Sequence, residues 1–407
     1  MGKKLIERIK YWSQILLLPV YWFSFLIPRD KNIWVFGCSF GKRFSENPRY
    51  LYLYISQRHA DQIRPIWISK SKEIVGFLNE NHYKAYYYLS WKGIYTCLRS
   101  KVYIYDNYSK DINFWLSGGA VKVNLWHGSG NKKTNYDNKF DKVRHPKNFY
   151  EKWLTFPRRL SDEKPHHYTL ATSDAMREIF MSAFRTDAKH IVMDGYPRND
   201  VLFEDCTINN LMTEAERKLI EVIDEKRNQR IKILAYMPTF RDSEVKLLDV
   251  IHLDELNDFL NRNKLFLIIK LHPKSKIKDN MTNLDYTNIL IADAEIDVYT
   301  FLKDIDLLIT DYSSVYSDYM LLDRPVIAFH YDWELYQENT RDSYIEHDAY
   351  MPEVKVRNMF ELEDAVLELL TEDRCKKDRI SSRNRMFCYQ DGKASERITE
   401  RIKCLLD

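Results

Sequence analysis

Glycine and proline are scarce in this chain, at 11 and 12 among 407 residues. No GxGxxG, GxxxxGK[ST] or HExxH pattern occurs, so the common glycine-rich phosphate loops and the helical zinc-protease site are excluded. Cysteine is sparse too. Cys38, Cys97, Cys206, Cys375, Cys388 and Cys404 stand singly, with no CxxC and no nearby histidine. That spacing points to a reducing compartment rather than a disulfide framework, and argues against a structural metal. Neither charge sign dominates: 62 basic and 59 acidic side chains leave +3, and no global positive field calls for nucleic acid. The apolar run at residues 15–27 is shorter than the ~20 residues a membrane span needs, and Pro19 interrupts it.

What is present is a globular composition, with 45% hydrophobic, 30% charged and 14% aromatic residues. The length is enough for two large domains. Residues 1–28 differ from the rest. Lys3, Lys4, Arg8 and Lys10 precede the apolar run, and Leu5, Ile9, Trp12 and Leu16 share one helical face opposite Glu7, Lys10 and Gln14. Pro28-Arg29-Asp30-Lys31 offers no small-residue signal-peptide cleavage site. This pattern predicts a peripheral, interfacial anchor on an anionic membrane surface, where each basic residue contributes ~1 kcal/mol. The alternative is a helix packed on the protein's own core.

Beyond residue 28, continuous apolar runs alternate with amphipathic stretches. Strands are predicted at 32–38, 64–69, 101–105, 121–125, 168–172 and 189–193, and again at 231–236, 265–271, 288–291, 306–310 and 325–329. Apolar strands alternating with helices indicate parallel sheets covered on both faces. The expected fold is α/β: two doubly wound parallel-sheet domains facing across a cleft, spanning 29–200 and 201–380, with a closing helix at 381–407.

Ligands in such sheets bind outside the carboxyl ends of the strands. Four predicted strand ends carry polar clusters. The first is Trp126-His127-Gly128-Ser129-Gly130-Asn131-Lys132-Lys133, where a histidine near neutrality can serve as a general base and the lysines can meet phosphate. The second, Met237-Pro238-Thr239-Phe240-Arg241, offers a hydroxyl and a guanidinium. The third is Leu271-His272-Pro273-Lys274, in which proline restricts the direction of His272. In the fourth, Thr310-Asp311-Tyr312-Ser313-Ser314, two serines follow a strand and open a helix. Each cluster has a plain reading as well: a solvated loop, a surface turn, a strand-terminal histidine and a helix cap. Asp304-Ile305-Asp306 spells DxD but is expected to lead into a strand, so no metal site and no cofactor are expected.

Taken together and in order, these stretches resemble the CDP-glycerol glycerophosphotransferase family, the teichoic-acid primases and polymerases and their capsule-polymer relatives. The resemblance spans about residues 32–330. It rests on Val35-Phe36-Gly37 with Phe40-Gly41-Lys42 and Ser45-Glu46-Asn47-Pro48-Arg49, and on Trp126-His127-Gly128 with Lys132-Lys133. It continues through Gly195-Tyr196-Pro197-Arg198-Asn199-Asp200, Pro238-Thr239-Phe240-Arg241, Leu271-His272-Pro273, and Asp311-Tyr312-Ser313-Ser314-Val315 up to Asp323-Arg324-Pro325. Several short motifs in order are far more specific than one. The resemblance implies a glycosyltransferase-B-like fold, a peripheral place on the cytoplasmic face of a bacterial plasma membrane, CDP-glycerol as donor and a lipid-linked saccharide as acceptor. It implies His127 and His272 as the essential histidines. Donor-phosphate contacts would come from Thr239, Arg241, Lys274, Asp311, Ser313 and Ser314. Gly128, Lys132, Lys133 and Arg198 would stand on the acceptor side. Ser129-Gly130 and Lys274 depart from the family's usual residues. No long region precedes residue 32 as in the large polymerases, which favours a primase-like or single-addition enzyme. Rival readings are a transferase using CDP-ribitol or a nucleotide sugar, a nucleotide-sugar epimerase or hydrolase, and an inactive binding protein.

Overall fold

The apolar runs become strands buried on both faces. A computed structural model describes residues 9, 11–164, 166–204, 206, 208, 210–239, 250–272, 275, 286–339 and 342–406. In the first sheet, β1 (Asp30–Phe36), β2 (Arg64–Ser69), β3 (Ala85–Tyr87), β4 (Ser100–Tyr105), β5 (Val121–Asn124), β6 (Tyr168–Ala171) and β7 (Ile191–Met193) lie in the order β3-β2-β1-β4-β5-β6-β7. The second comprises β8 (Lys232–Met237), β9 (Leu265–Ile269), β10 (Ile289–Ile291), β11 (Leu307–Thr310), β12 (Val326–Phe329) and β13 (Val354–Val356), in the order β10-β9-β8-β11-β12-β13. The pairings are parallel, and the order reverses between β1 and β4 and between β8 and β11. Those reversals are the topological switch points where such sheets leave a crevice for a ligand.

Helix starts follow local chemistry. Ser71, Ser90, Ser173 and Asn358 each cap a helix by accepting a first-turn N–H, and Thr213 with Glu216 forms a reciprocal capping box. The two sheets are joined by buried charge. Arg49, on the helix Glu46–Arg58, reaches Glu216 at 3.0 Å and Asp297 at 3.4 Å, both of which lie between β7 and β11 in the chain. Desolvation acts against the Arg49 charge, but Tyr50 and these carboxylates more than offset it and its pKa rises.

The closing helix does not stand apart. Residues Ala394–Leu406 return to the first sheet, where Ile398 and Ile402 join the core of Trp34, Val123 and Leu170. Arg401 holds Asp194 just beyond β7, and Asp200 accepts the N–H groups of Ala394 and Ser395, at 2.8 Å each. The last turns of the chain therefore complete the core of the first domain. Truncating Ile402, 3% exposed, to alanine should destabilise the protein by about 2–5 kcal/mol. Denaturant melts followed in the first domain's tryptophans, Trp34 and Trp67, will show the loss; an unchanged midpoint would mean that the helix is not part of that core.

Candidate active site

β1 and β4 deliver the floor of the site. After β1 the chain turns through Ser39 and Phe40, both left-handed at φ 47° and 59°. Their N–H groups donate to Asp106 (3.0 Å) and Asp111 (2.8 Å), which follow β4. Asp111 also accepts from the N–H groups of Asn107 and Tyr108. The two carboxyls are buried and hydrogen-bonded to each other, so they cannot both ionise easily. Burial raises Asp106 to about 6, and burial and then Asp106 push Asp111 well above the usual carboxylate range.

β5 delivers His127. Trp126 is left-handed (φ 55°), a strained state for an aromatic residue. It is held there because Asn124 Oδ1 accepts its N–H at 2.9 Å, Asn47 donates to its carbonyl at 2.9 Å, and its ring packs on Phe180 and Phe184. The kink aims His127 into the interdomain space. Its Nδ1 lies 3.2 Å from the carbonyl oxygen of Asp106. A carbonyl only accepts, so Nδ1 carries the proton and Nε2 keeps a lone pair. Burial lowers the His127 pKa, while Glu46 and the Asp106 carbonyl pull it up and Arg198 adds to the lowering.

β8 and β11, at the second switch point, deliver the opposite wall. Asp311 accepts from the Thr239 N–H and hydroxyl (2.7 Å to the latter) and from the Tyr312 N–H, stapling the two loops together. It is buried and, through these hydrogen bonds, shapes the loop where it meets the cleft. Ser314 sits at the start of the short helix Val315–Tyr319 but makes no side-chain cap. The helix cap therefore does not account for its hydroxyl.

These walls enclose a cleft of about 710 Å³. His127, Gly128 and Lys132 line it from the first domain, and Thr239, His272, Asp311, Ser313 and Ser314 from the second. Gly128 (φ 150°) lets the loop pass where an added Cβ would lie 3.4 Å from Arg198 and 3.5 Å from Ser314. Lys133 does not line the cleft; its ammonium faces Asp342 at 3.4 Å. Arg241 and Lys274 lie outside the described residues. Among the described residues no three His, Cys, Asp or Glu gather as a metal site.

Arg198, expected on the acceptor side, is instead buried behind the loop, 2% exposed. It pairs with Asp318 of the second domain at 2.5 Å and with Glu46 of the first, and it donates to the carbonyl of His127 at 3.1 Å. These three contacts occupy both Nη atoms and hold the guanidinium in the joint between the two domains, away from the cleft wall.

Two features have no counterpart in the sequence reading. Residues 342–345 strap the second domain to the loop after β5: Lys132 bridges Ser343, Tyr344 N–H donates to Asn131 O at 2.8 Å, and the Asn131 amide binds Ile345 on both sides at 2.7 Å. Beside it, Tyr312, His330, Trp333, Tyr336 and His347 stack as an aromatic wall. Burial lowers His330 to about 3 and His347 to about 4, so both are neutral. The run His330-Tyr331-Asp332-Trp333 directly after β12 was the available signal, since it is one more strand end rich in rings.

Comparison with known proteins agrees with this architecture. The family model described as CDP-glycerol:poly(glycerophosphate) glycerophosphotransferase matches residues 20–404. A teichoic acid poly(glycerol phosphate) polymerase of Bacillus spizizenii is 27% identical, covering 97% of this chain and 98% of that protein. A teichoic acid glycerol-phosphate transferase of Staphylococcus aureus is 26% identical, with 98% of each chain covered. A solved structure of the wall teichoic acid polymerase TagF superimposes with a TM-score of 0.73 at 24% identity, over 100% of this chain and 98% of that one, which shows a shared fold.

Two outcomes are expected. Arg198→Met strands Asp318 and Glu46, and should cost about 3–5 kcal/mol of stability, read by denaturation. Burial keeps the His127 imidazole neutral to a lower pH than an ordinary histidine; with His127 as the general base, the acid limb of turnover falls below the ordinary 6.5, with activity lost only as pH drops through it. A pH–rate profile checks this, and a limb above 6.5 would assign it elsewhere.

Proposed function

The chain belongs to the CDP-glycerol:poly(glycerophosphate) glycerophosphotransferase family, and we propose that it moves glycerol phosphate from CDP-glycerol to a hydroxyl of a lipid-linked saccharide or a growing polyol-phosphate polymer in teichoic-acid or capsule synthesis. The acceptor oxygen attacks the β-phosphorus. The bond from that phosphorus to the bridging oxygen breaks, CMP leaves, and the acceptor proton passes to His127. The observation that carries this reading is the His127 geometry: Nδ1 is tied to a carbonyl and Nε2 is free to accept, in a cleft whose far wall holds His272, Ser313 and Ser314. Phosphoryl transfer is mainly positioning and charge stabilisation. His272 and the serine hydroxyls take the diphosphate, and Lys132 stands towards the acceptor; Arg241 and Lys274, outside the described residues, remain proposed donor-phosphate contacts.

The enzyme works on a membrane surface through the segment that precedes β1. Tyr21 is buried and stacks on Phe114 at 4.6 Å, and the Ser24 hydroxyl accepts the Gly118 N–H at 2.9 Å. Arg29 donates to the carbonyls of Ser100 and Leu116. So pinned, the segment turns Leu16, Trp22, Phe23, Phe25 and Leu26 outward, each more than half exposed. A helix packed on its own core would hide them. Exposed apolar groups concentrated in this way fit the interface of a bilayer. Among the described residues no helix is long and apolar enough to cross one.

Turnover and donor calorimetry on two variants test the transfer reading. His127→Ala should lower kcat by roughly 10²–10⁴-fold with CDP-glycerol binding nearly intact, whereas His272→Ala should weaken donor binding as well. Release of CMP at the same rate without any acceptor would indicate a hydrolase instead. The double variant Trp22→Ser, Leu26→Ser should sediment less with anionic liposomes while retaining activity on a soluble acceptor; unchanged sedimentation would remove the membrane role.

A further inference from the structure

Beneath the pinned segment lies a lysine whose charge the reaction does not use. Lys122 is the second residue of β5, and its side chain emerges on the sheet face covered by Tyr21 and Phe114. It is only 6% exposed. Its ammonium faces the rings of Tyr21 at 5.7 Å and Phe114 at 6.0 Å, yet among the described residues it has no carboxylate or carbonyl partner. Its charged neighbours are both cations, Lys164 and Arg29. Burial and then these two cations lower the Lys122 pKa to about 8. Arg29 is spent on backbone carbonyls, whereas Lys164 and His167 are exposed at the rim.

A buried ammonium normally has a counter-ion, because an unpaired one is costly. The ring faces stabilise the ammonium, while the like charges of Lys164 and Arg29 favour an anion arriving from outside. The segment that covers the lysine is the one whose Trp22, Phe25 and Leu26 point outward. We propose that Lys122, with Lys164 and His167 at its rim, is a phosphate-binding site for the headgroup of an anionic membrane lipid, seated between the N-terminal segment and the first sheet. This rests on the membrane reading above and deepens it: the apolar side chains enter the lipid, and one phosphate is drawn to a fixed point on the protein. Such a contact fixes the orientation of the domain on the surface, which a diffuse basic patch does not do.

Short-chain phosphatidylglycerol below its micelle concentration, and inorganic phosphate, are the probes, titrated by calorimetry into the full-length protein. The wild type should bind the lipid saturably. Lys122→Met should bind it at least about tenfold more weakly, the scale of a lost charge-assisted contact. Lys122→Arg should retain binding. Lys164→Met, at the exposed rim, should weaken binding less than Lys122→Met does. Methionine fills the same space and removes a buried charge, so the thermal midpoint of Lys122→Met should hold or rise. Lipid binding without phosphate binding identifies the lipid as the source; binding of both with similar affinity means that the site reads phosphate alone and overturns the lipid assignment. Equal affinity of wild type and Lys122→Met, or equal losses in Lys122→Met and Lys164→Met, overturns the site itself. Failure of the membrane reading is separate: the Trp22→Ser, Leu26→Ser protein would then sediment with vesicles as the wild type does, whatever Lys122 binds.

Discussion

Arg198 is the constraint on which the rest depends. One buried guanidinium joins Glu46 of the first domain, Asp318 of the second and the backbone carbonyl of His127. Asn199 and Tyr299 also reach Asp318. A charge taken out of water is tolerated only when its geometry is satisfied, and the fork of arginine meets several acceptors at once. The relative placement of the two sheets and the direction of the His127 loop are thus set by the same group. Arg49, between Glu216 and Asp297, repeats the device.

The site itself is assembled from backbone held in unfavourable states by buried side chains. Asp106 and Asp111 hold the left-handed turn at Ser39 and Phe40, and Asn124 and Asn47 hold Trp126. Strain of this kind persists only where neighbours over-determine it. The consequence is that His127 has one tautomer and one direction before any substrate arrives. Positioning of this sort is the main resource of a phosphoryl-transfer site, where little covalent work falls to the protein.

Much of this was legible from residue order. Long apolar runs marked eleven strands within a residue or two, because a strand buried on both faces needs no partner to be recognised. β3 and β13 escaped: each is three residues long, at or near a sheet edge, and one contains a lysine. The strand ends carried the chemistry, and His127, His272, Thr239, Ser313 and Ser314 meet in one cleft. Arg198 and Asp311 were visible as motif residues, but nothing local tells a buried clamp from a ligand contact. That difference depends on Asp318 and on Thr239, which lie far along the chain. The strap at 342–345 and the return of the C-terminal helix are contacts across more than two hundred residues, beyond any local pattern.

The central claim is a direct transfer, with His127 removing the acceptor proton while CMP leaves. Two histidines in one cleft also permit a rival chemistry, in which a histidine nitrogen first takes the glycerol phosphate and then passes it on. Phosphorus stereochemistry separates the two. With CDP-glycerol made chiral at the β-phosphorus by sulfur and oxygen-isotope labels, a single in-line displacement inverts the centre and two displacements retain it. Inversion in the transferred glycerol phosphate is the predicted result; retention would contradict the assignment of His127 as a base.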